Sequence, residues 1–157
     1  KYPHVFALGY GAEVSDSVKL GVDFEYILAS RFKSQPIDLG QNNVLLPSNS
    51  IEKDWRDNWT LGTAVDWEFQ ENWNAHLGYV YIESPIPDRT LSPLETDSNE
   101  HLVSVGLAHT MGKNHFNMMY AMGFFDDRKV ENNINPAING EYEFSAQFVG
   151  LSYQRDL

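Results

Sequence analysis

Segments of about ten residues alternate apolar and polar side chains, and the connections between them are short and long in turn. This pattern constrains the chain more than any other feature of it. In "WTLGTAVDWEF", one parity holds Trp59, Leu61, Thr63, Val65, Trp67 and Phe69, and the other holds Thr60, Gly62, Ala64, Asp66 and Glu68. "VKLGVDFEYILASRF" repeats the pattern with Val18, Leu20, Val22, Phe24, Tyr26, Leu28 and Phe32 on one face. So do "WNAHLGYVY", led by Trp73, and "FNMMYAMGFF", led by Phe116. Weaker versions run over Val5–Gly11, Leu102–Met111 and Glu141–Gln154. Period-two alternation without a helical stripe predicts strands, seven in all.

The connections "EVSDS", "QEN" and "GKNH" are short, whereas Lys33–Asp57 and Ser84–His101 are long and Asn132–Gly140 is intermediate. Sorting of loops by length is what an antiparallel up-and-down transmembrane β-barrel shows, with short periplasmic turns and long extracellular loops. From Trp59 to Phe69 the chain covers roughly 33 Å, which projects to about 25 Å at a tilt of ~40°, the height of the apolar band of such a barrel. Aromatic residues at both ends of that face suit the two membrane interfaces. The last strand, "QFVGLSYQRDL", keeps Val149, Leu151, Tyr153 and Leu157 on the lipid parity, and Arg155 interrupts it near the interface. Seven strands is an odd number for a bacterial single-chain barrel, and open edges are costly in lipid. The chain therefore reads as a fragment of a larger barrel, or as one with a strand not counted here. The alternative on the same periodicity is a soluble β-barrel or sandwich, with Phe24 and Tyr120 turned into an aromatic core.

Composition narrows the function. The 157 residues carry a net charge of −11, which argues against a nucleic-acid surface. Cysteine is absent, so disulfides, thiolate metal sites and cysteine nucleophiles are excluded. Aromatic residues make up 13% of the chain, and no apolar run approaches the ~18 residues of a spanning helix. The opening "KYPHVF" has no initiating Met, charged n-region or apolar h-region, so the chain is expected to be processed or a piece of a longer protein.

No catalytic or metal motif stands out. "LETDSNE" offers hard oxygen donors but lacks the glycine of an EF-hand loop. The histidines have no His-Glu-x-x-His spacing, and no serine sits in a Gly-x-Ser-x-Gly turn. Neither an enzyme nor a metal or cofactor site is expected. The parity opposite the lipid face mixes polar residues (Asp23, Glu25, Asp66, Glu68, Asn74, His76) with apolar ones (Ile27, Ala64, Val80, Ile82, Met119, Phe125, Phe144, Phe148). An apolar patch with few polar groups suits a hydrophobic ligand, and it equally suits packing against an internal plug. "SPIPDRTLSP" ends a strand with prolines, which cannot donate to a ladder, and stiffens the loop that follows.

At this point a resemblance appears. "DNWTLGTAVDWEFQENWNAHLGYVYIESPIPDRTLSPLETDSNEHLVSVGLAH" resembles the C-terminal part of the FadL/TodX family of outer-membrane channels. It does so through Trp59-Thr60, Trp73, Ser84-Pro85-Ile86-Pro87, Arg89-Thr90, Asp97 and Ser104-Val105-Gly106. The tail is similar through Gly140-Glu141-Tyr142-Glu143-Phe144 and Gly150. The resemblance implies a fourteen-stranded barrel with an N-terminal hatch, of which residues 1–157 are the C-terminal portion of the one barrel domain, the hatch and earlier strands lying outside it. It also implies passive uptake of long-chain fatty acids or aromatic hydrocarbons across the bacterial outer membrane. Where the family pattern is Pro-Asp-x-Asp-Arg, this chain reads Thr96-Asp97-Ser98-Asn99-Glu100, so the basic position is acidic and a carboxylate ligand is less secure than a neutral one.

The expected ligand contacts, in the lumen or at its mouth, are Ile82, Ile86, Leu91, Met119, Phe125, Phe144 and Phe148, with Ile86 and Leu91 lining the approach. Expected partners are a hydrophobic small molecule, outer-membrane lipid and lipopolysaccharide, with no nucleic acid and a monomeric full-length protein. A non-transporting barrel, such as an adhesin or structural protein, is the other membrane reading.

Overall fold

The computed structural model describes residues 2–36, 50–95 and 97–157. Eleven strands follow one another: β1 Val5–Ser15, β2 Val18–Ile27, β3 Ser34–Pro36, β4 Ser50–Glu52, β5 Asn58–Gln70, β6 Trp73–Ile82, β7 Glu100–Met111, β8 Asn114–Phe125, β9 Arg128–Val130, β10 Gly140–Tyr142 and β11 Ser145–Arg155. The seven long ones form a single antiparallel sheet in the order β1-β2-β5-β6-β7-β8-β11. Each long strand pairs with the next long strand in the chain. The sheet is not closed: β1 and β11 pair on one side only among the described residues. The pairs β3–β4 and β9–β10 are separate short ribbons within the long loops.

The seven long strands match the alternation in number and order, and two of them differ from it in how they end or begin. β2 stops at Ile27 rather than continuing to Phe32, because residues Ala29–Arg31 turn in a short 3-10 helix whose Ser30 N–H donates to the Asp57 carboxylate at 2.9 Å. Leu28 and Phe32 therefore leave the sheet face, and Phe32 meets Trp55 edge-on at 4.9 Å between ring centroids. The expected strand Glu141–Gln154 divides at Glu143 and Phe144 into β10 and β11. Phe144 turns at this break to pack against Phe125 (5.9 Å, T-shaped). The short strands β3, β4 and β9 lie in segments with no alternation to announce them. Part of the long Lys33–Asp57 connection, residues 37–49, lies outside the described residues, as does Thr96.

The short connections are two-residue hairpins at Asp16–Ser17, Glu71–Asn72 and Gly112–Lys113. Two-residue hairpins favour residues with positive φ, although Asp16–Ser17 turns without one. Gly112 (φ 59°) supplies one in the third and Asn72 (φ 64°) in the second, beside a register slip at Glu68/Gln70. All three lie at one end of the sheet and the three long loops at the other.

The register assigns every side chain to a face. On one face, aligned rows of aromatic and histidine rings cross the sheet at each end. At the short-turn end, Trp73 pairs with His109, His109 with Phe116 and Phe116 with Tyr153. At the long-loop end, Phe6 pairs with Tyr26 and Tyr26 with Trp59, and further along Tyr81 pairs with His101 and His101 with Phe124. His101 and His109 stand eight residues apart on β7. That spacing is about 27 Å along the strand and about 21 Å of height at a tilt of ~40°. Between the rows lie Leu61, Val65, Leu77, Val103, Val105, Leu107, Met118, Met122, Val149 and Leu151, many of them strongly exposed (Leu151 79%, Val149 76%). A continuous apolar band of this kind does not face water.

On the other face lie all the glycines of the large sheet: Gly9, Gly11, Gly21, Gly62, Gly78, Gly106, Gly123 and Gly150. The concave side of a closing sheet has less room per side chain, so small residues alternate there with larger ones. Gly62 shows the need for space most plainly, since a Cβ there would stand 2.5 Å from both carboxylate oxygens of Asp23 on β2.

Candidate functional site

The long loops fold together into a cap at their end of the sheet. Its core is Ile86, Leu91 and Val130, exposed by 4%, 2% and 1%, with Trp55 and Tyr142 packed against them. These residues come from three loops, so the core ties the β2–β5, β6–β7 and β8–β11 connections to one another. Pro85 and Pro87 end the β6 edge as the sequence suggests, and residues Asp88–Thr90 make a single 3-10 turn. Ile86 and Leu91 were expected to line the approach to the lumen. The structure places both side chains inside the cap, where they hold the loop in shape and present no open surface.

Polar groups complete the cap. The Arg128 side chain, 10% exposed, donates through Nε to Asp88 Oδ1 (2.8 Å), through Nη1 to the Asp97 carbonyl (2.5 Å) and through Nη2 to the Ile86 carbonyl (2.5 Å). Asn133 Nδ2 donates to the carbonyls of Asp88 (2.7 Å) and Leu91 (2.9 Å). Ser84 donates through Oγ to Asp97 (2.7 Å) and through N–H to Asn99 Oδ1 (3.0 Å), and Asn99 Nδ2 reaches Asp126 (3.0 Å). Lys53, 3% exposed, pairs with Glu95, and the Thr90 hydroxyl donates to the Lys53 carbonyl. Arg89 pairs with Glu52. Two carboxylates at the cap's base, the exposed Asp54 and the half-buried Asp57, titrate below their usual range: the hydrogen bond from Lys33 lowers Asp54, and those from Ser30 lower Asp57.

Sequence reasoning missed Arg128, Lys53 and Asn133. Single polar residues in loops carry no periodic signal, and their roles depend on contacts 31 to 45 residues away in the chain. The altered stretch Thr96–Glu100 gains an explanation for its described residues. Asp97, Ser98 and Asn99 all bond within the cap, Ser98 Oγ donating to the Asp126 carbonyl at 2.6 Å. Arg128, from a different loop, donates to the Asp97 backbone carbonyl, while the Asp97 carboxylate accepts from Ser84 Oγ.

The glycine face divides into two regions. On β2, β5 and β6 it carries Asp23, Glu25, Asp66, Glu68, Asn74 and His76, with Ala64, Val80 and Ile82 among them. Asp66 accepts from Asn74 (3.1 Å) and pairs with His76 (3.0 Å). On β8 and β11 its half nearer the cap is an apolar track, and the half nearer the short turns carries His115, Asn117, Ser152 and Gln154. Phe125 and Phe144 stand at its top beneath the cap, then Gly123 pairs with Ala146, Ala121 with Phe148 and Met119 with Gly150. Phe148 and Met119 are 53% and 45% exposed along this track. From Phe125 to Met119 it runs about 20 Å down the strand. Val80 and Leu102 pair beside it, and Ile82 pairs with Glu100 at the rim. The Glu100 carboxylate, on the same face, approaches Gly123 beside Phe125. Of the expected contact residues, the structure therefore brings Ile82, Phe125 and Phe144 together at the top of the track, sets Phe148 and Met119 deeper, and withdraws Ile86 and Leu91 into the cap.

The whole chain, residues 1–157, matches the model of the outer membrane protein transport protein family (OMPP1/FadL/TodX). It belongs to that family. The structure also superposes on a crystal structure of a Pseudomonas aeruginosa FadL homologue with a TM-score of 0.73 and 18% sequence identity. The match covers 96% of this chain and 33% of that one, so the chain spans about a third of the solved relative. No curated protein matches it. The FadL/TodX membership makes the chain part of an outer-membrane β-barrel and the aromatic face its lipid-facing wall. The soluble reading, with Phe24 and Tyr120 inside, is corrected accordingly: both side chains lie on that wall, in line with Leu61 and Val105. The short hairpins mark the periplasmic end and the cap the extracellular one.

Proposed function

We propose that the full-length protein is a passive channel for hydrophobic small molecules, aromatic hydrocarbons or long-chain fatty acids. This chain supplies the C-terminal portion of its single barrel domain. The observation that carries the reading is the segregation of the inner wall. Phe125, Phe144, Phe148, Ala121 and Met119 form one apolar track on the cap-side half of β8 and β11, whereas most of the charged groups lie on β2, β5 and β6. A hydrophobic solute needs a path on which it stays desolvated from mouth to interior.

Ile82, Met119, Phe125, Phe144 and Phe148 are the proposed contacts. Ile86 and Leu91 act from behind, by fixing the cap over Phe125 and Phe144. Glu100 stands beside the top of the track, so a neutral solute enters more easily than a carboxylate. The working unit is a monomer.

The test is uptake of labelled toluene and labelled oleate by cells carrying the full-length protein, with wild type compared to Phe125→Asp/Phe148→Asp. Toluene entry should fall to the level of cells lacking the protein while heat-modifiable mobility shows an assembled barrel. Equal uptake by the two proteins would remove the track from the mechanism.

A further inference from the structure

The lipid-facing wall carries one concave site that the transport reading does not use. At the periplasmic end a groove of about 540 Å³ opens on the aromatic face. Trp73, Phe116 and Tyr153 stand at its rim, and Leu107, Met118 and Leu151 line it toward the middle of the membrane. Its volume falls within the range of ~300–1,000 Å³ typical of small-molecule sites. Three rings of its rim are fixed. His109 stacks on Trp73 at 3.9 Å while its Nδ1 meets the Asn72 carbonyl at 3.1 Å, and Phe116 packs on Tyr153 at 5.1 Å. The Tyr153 hydroxyl donates to Asn114 Oδ1 at 2.8 Å, which holds it at the polar edge.

Charge identifies the occupant. One register step beyond the Phe116–Tyr153 row, Arg155 pairs with Asn114 on this same outer face, and Lys113 sits in the adjoining turn. In a chain of net charge −11, both cations follow the Phe116–Tyr153 row toward the periplasmic edge, outside the groove's own lining, and neither has an ion-pair partner among the described residues. The third cation at this end, Lys19, is on the inner face and pairs with Glu13 at 3.2 Å. Asp156 pairs with His115, an inner-face residue, and so leaves Arg155 unopposed; Glu71 lies in the neighbouring hairpin.

We propose that this groove binds one anionic glycerophospholipid of the periplasmic leaflet. One acyl chain lies along Leu107, Met118 and Leu151, the glycerol sits at the Trp73 and Tyr153 edges, and the headgroup phosphate meets Arg155 and Lys113. Arg155, an interruption of the lipid parity in the sequence, is the headgroup ligand.

The test is native mass spectrometry of the full-length protein, purified in mild detergent and offered equal amounts of phosphatidylglycerol and phosphatidylethanolamine. Wild type should retain phosphatidylglycerol roughly tenfold or more in preference, as two cations facing an anionic headgroup imply. Lys113→Gln/Arg155→Gln changes only exposed side chains, and should reduce phosphatidylglycerol to the phosphatidylethanolamine level. Leu107→Trp, which fills the groove, should lower retention of both lipids. Equal retention of the two lipids by wild type, or undiminished phosphatidylglycerol on either variant, would overturn the assignment.

Discussion

Replacing Arg128 with Met should unlatch the cap while leaving the barrel wall intact. The substitution keeps an apolar stem of similar reach and removes the guanidinium fork. Three hydrogen bonds go with it, and they do not count equally. Asp88 is 44% exposed, so its carboxylate recovers water and that loss costs at most about 1 kcal/mol. The Ile86 carbonyl belongs to a residue 4% exposed, and the Asp97 carbonyl sits in the same part-buried junction. Carbonyls left without a donor there cost about 1–3 kcal/mol together, since water reaches the junction once the side chain is shortened. The net is about 3 kcal/mol against the closed cap, or roughly a 150-fold rise in its open population. Hydrogen exchange on the full-length protein reads this directly. The amides of Thr90 (to Pro87 O, 3.0 Å) and Ile134 (to Arg89 O, 2.9 Å) report the cap, and the β5–β6 ladder serves as the internal control. Arg128→Lys should recover less than half of the protection, because an ammonium cannot serve three acceptors arranged for a planar fork. Protection of Thr90 and Ile134 within about threefold of wild type would refute the reasoning, since it would mean that the apolar core alone holds the loops.

Leu91→Ala should destabilise the same cap by about 2–4 kcal/mol, through a cavity beside Ile86 and Val130, and show in the same amides. Gly62→Val should lower the yield of assembled full-length barrel, read as a smaller heat-modifiable fraction, because the Asp23 carboxylate must turn aside, and Gly62→Val/Asp23→Ala should restore it. Acid should loosen the cap's base in a defined window. Asp54 and Asp57 have folded-state values held below the usual one, so their contribution is present above the unfolded carboxylate range near pH ~3.9 and is lost as pH falls through the lower folded values. Exchange near Ser30 and Lys33 should therefore hold constant at neutral pH and quicken only below about pH 4, and a midpoint near pH 6 would assign the change to a histidine instead.

The wall was legible in the sequence because its information is periodic. Each of the seven long strands repeats one parity over ten or more residues, and a shift by one would turn Leu61, Val65 and Trp67 from lipid to lumen. The hairpins were legible too, since the shortest gaps must be tight turns. The cap was not. Its core rests on three apolar residues separated by up to 44 positions, and its polar ties join loops that no local pattern connects. "SPIPDRTLSP" announced a stiff loop, but Ile86 and Leu91 looked like exposed apolar residues because Val130 and Trp55, their covers, are remote in sequence. The track on β8 and β11 was half legible. Its residues were picked out by parity, whereas their continuity comes from pairing Phe148 with Ala121 and Met119 with Gly150 across strands.

These two kinds of information meet at Glu100. It begins β7 at the point where the cap's last tie, Asn99 to Asp126, hands over to the ladder of Glu100 with Ile82 and Phe125. The residue before it faces the cap and the residue itself faces the track, so a change here acts on both. An arginine at this position would have two acids of the cap, Asp97 and Asp126, close in the fold. In this chain the positive charge comes instead from Arg128, which reaches Asp97 and Asp88 from the β9 strand and leaves the top of the track with an acid. The cap thus keeps a cation at its centre while the mouth of the track becomes negative. If the track carries solute as proposed, the acid at Glu100 bears on which solutes enter. If Glu100→Gln raised oleate entry relative to toluene without altering protection at Thr90, selectivity and cap stability would be separable at this one residue. If both moved together, Glu100 would belong to the cap alone.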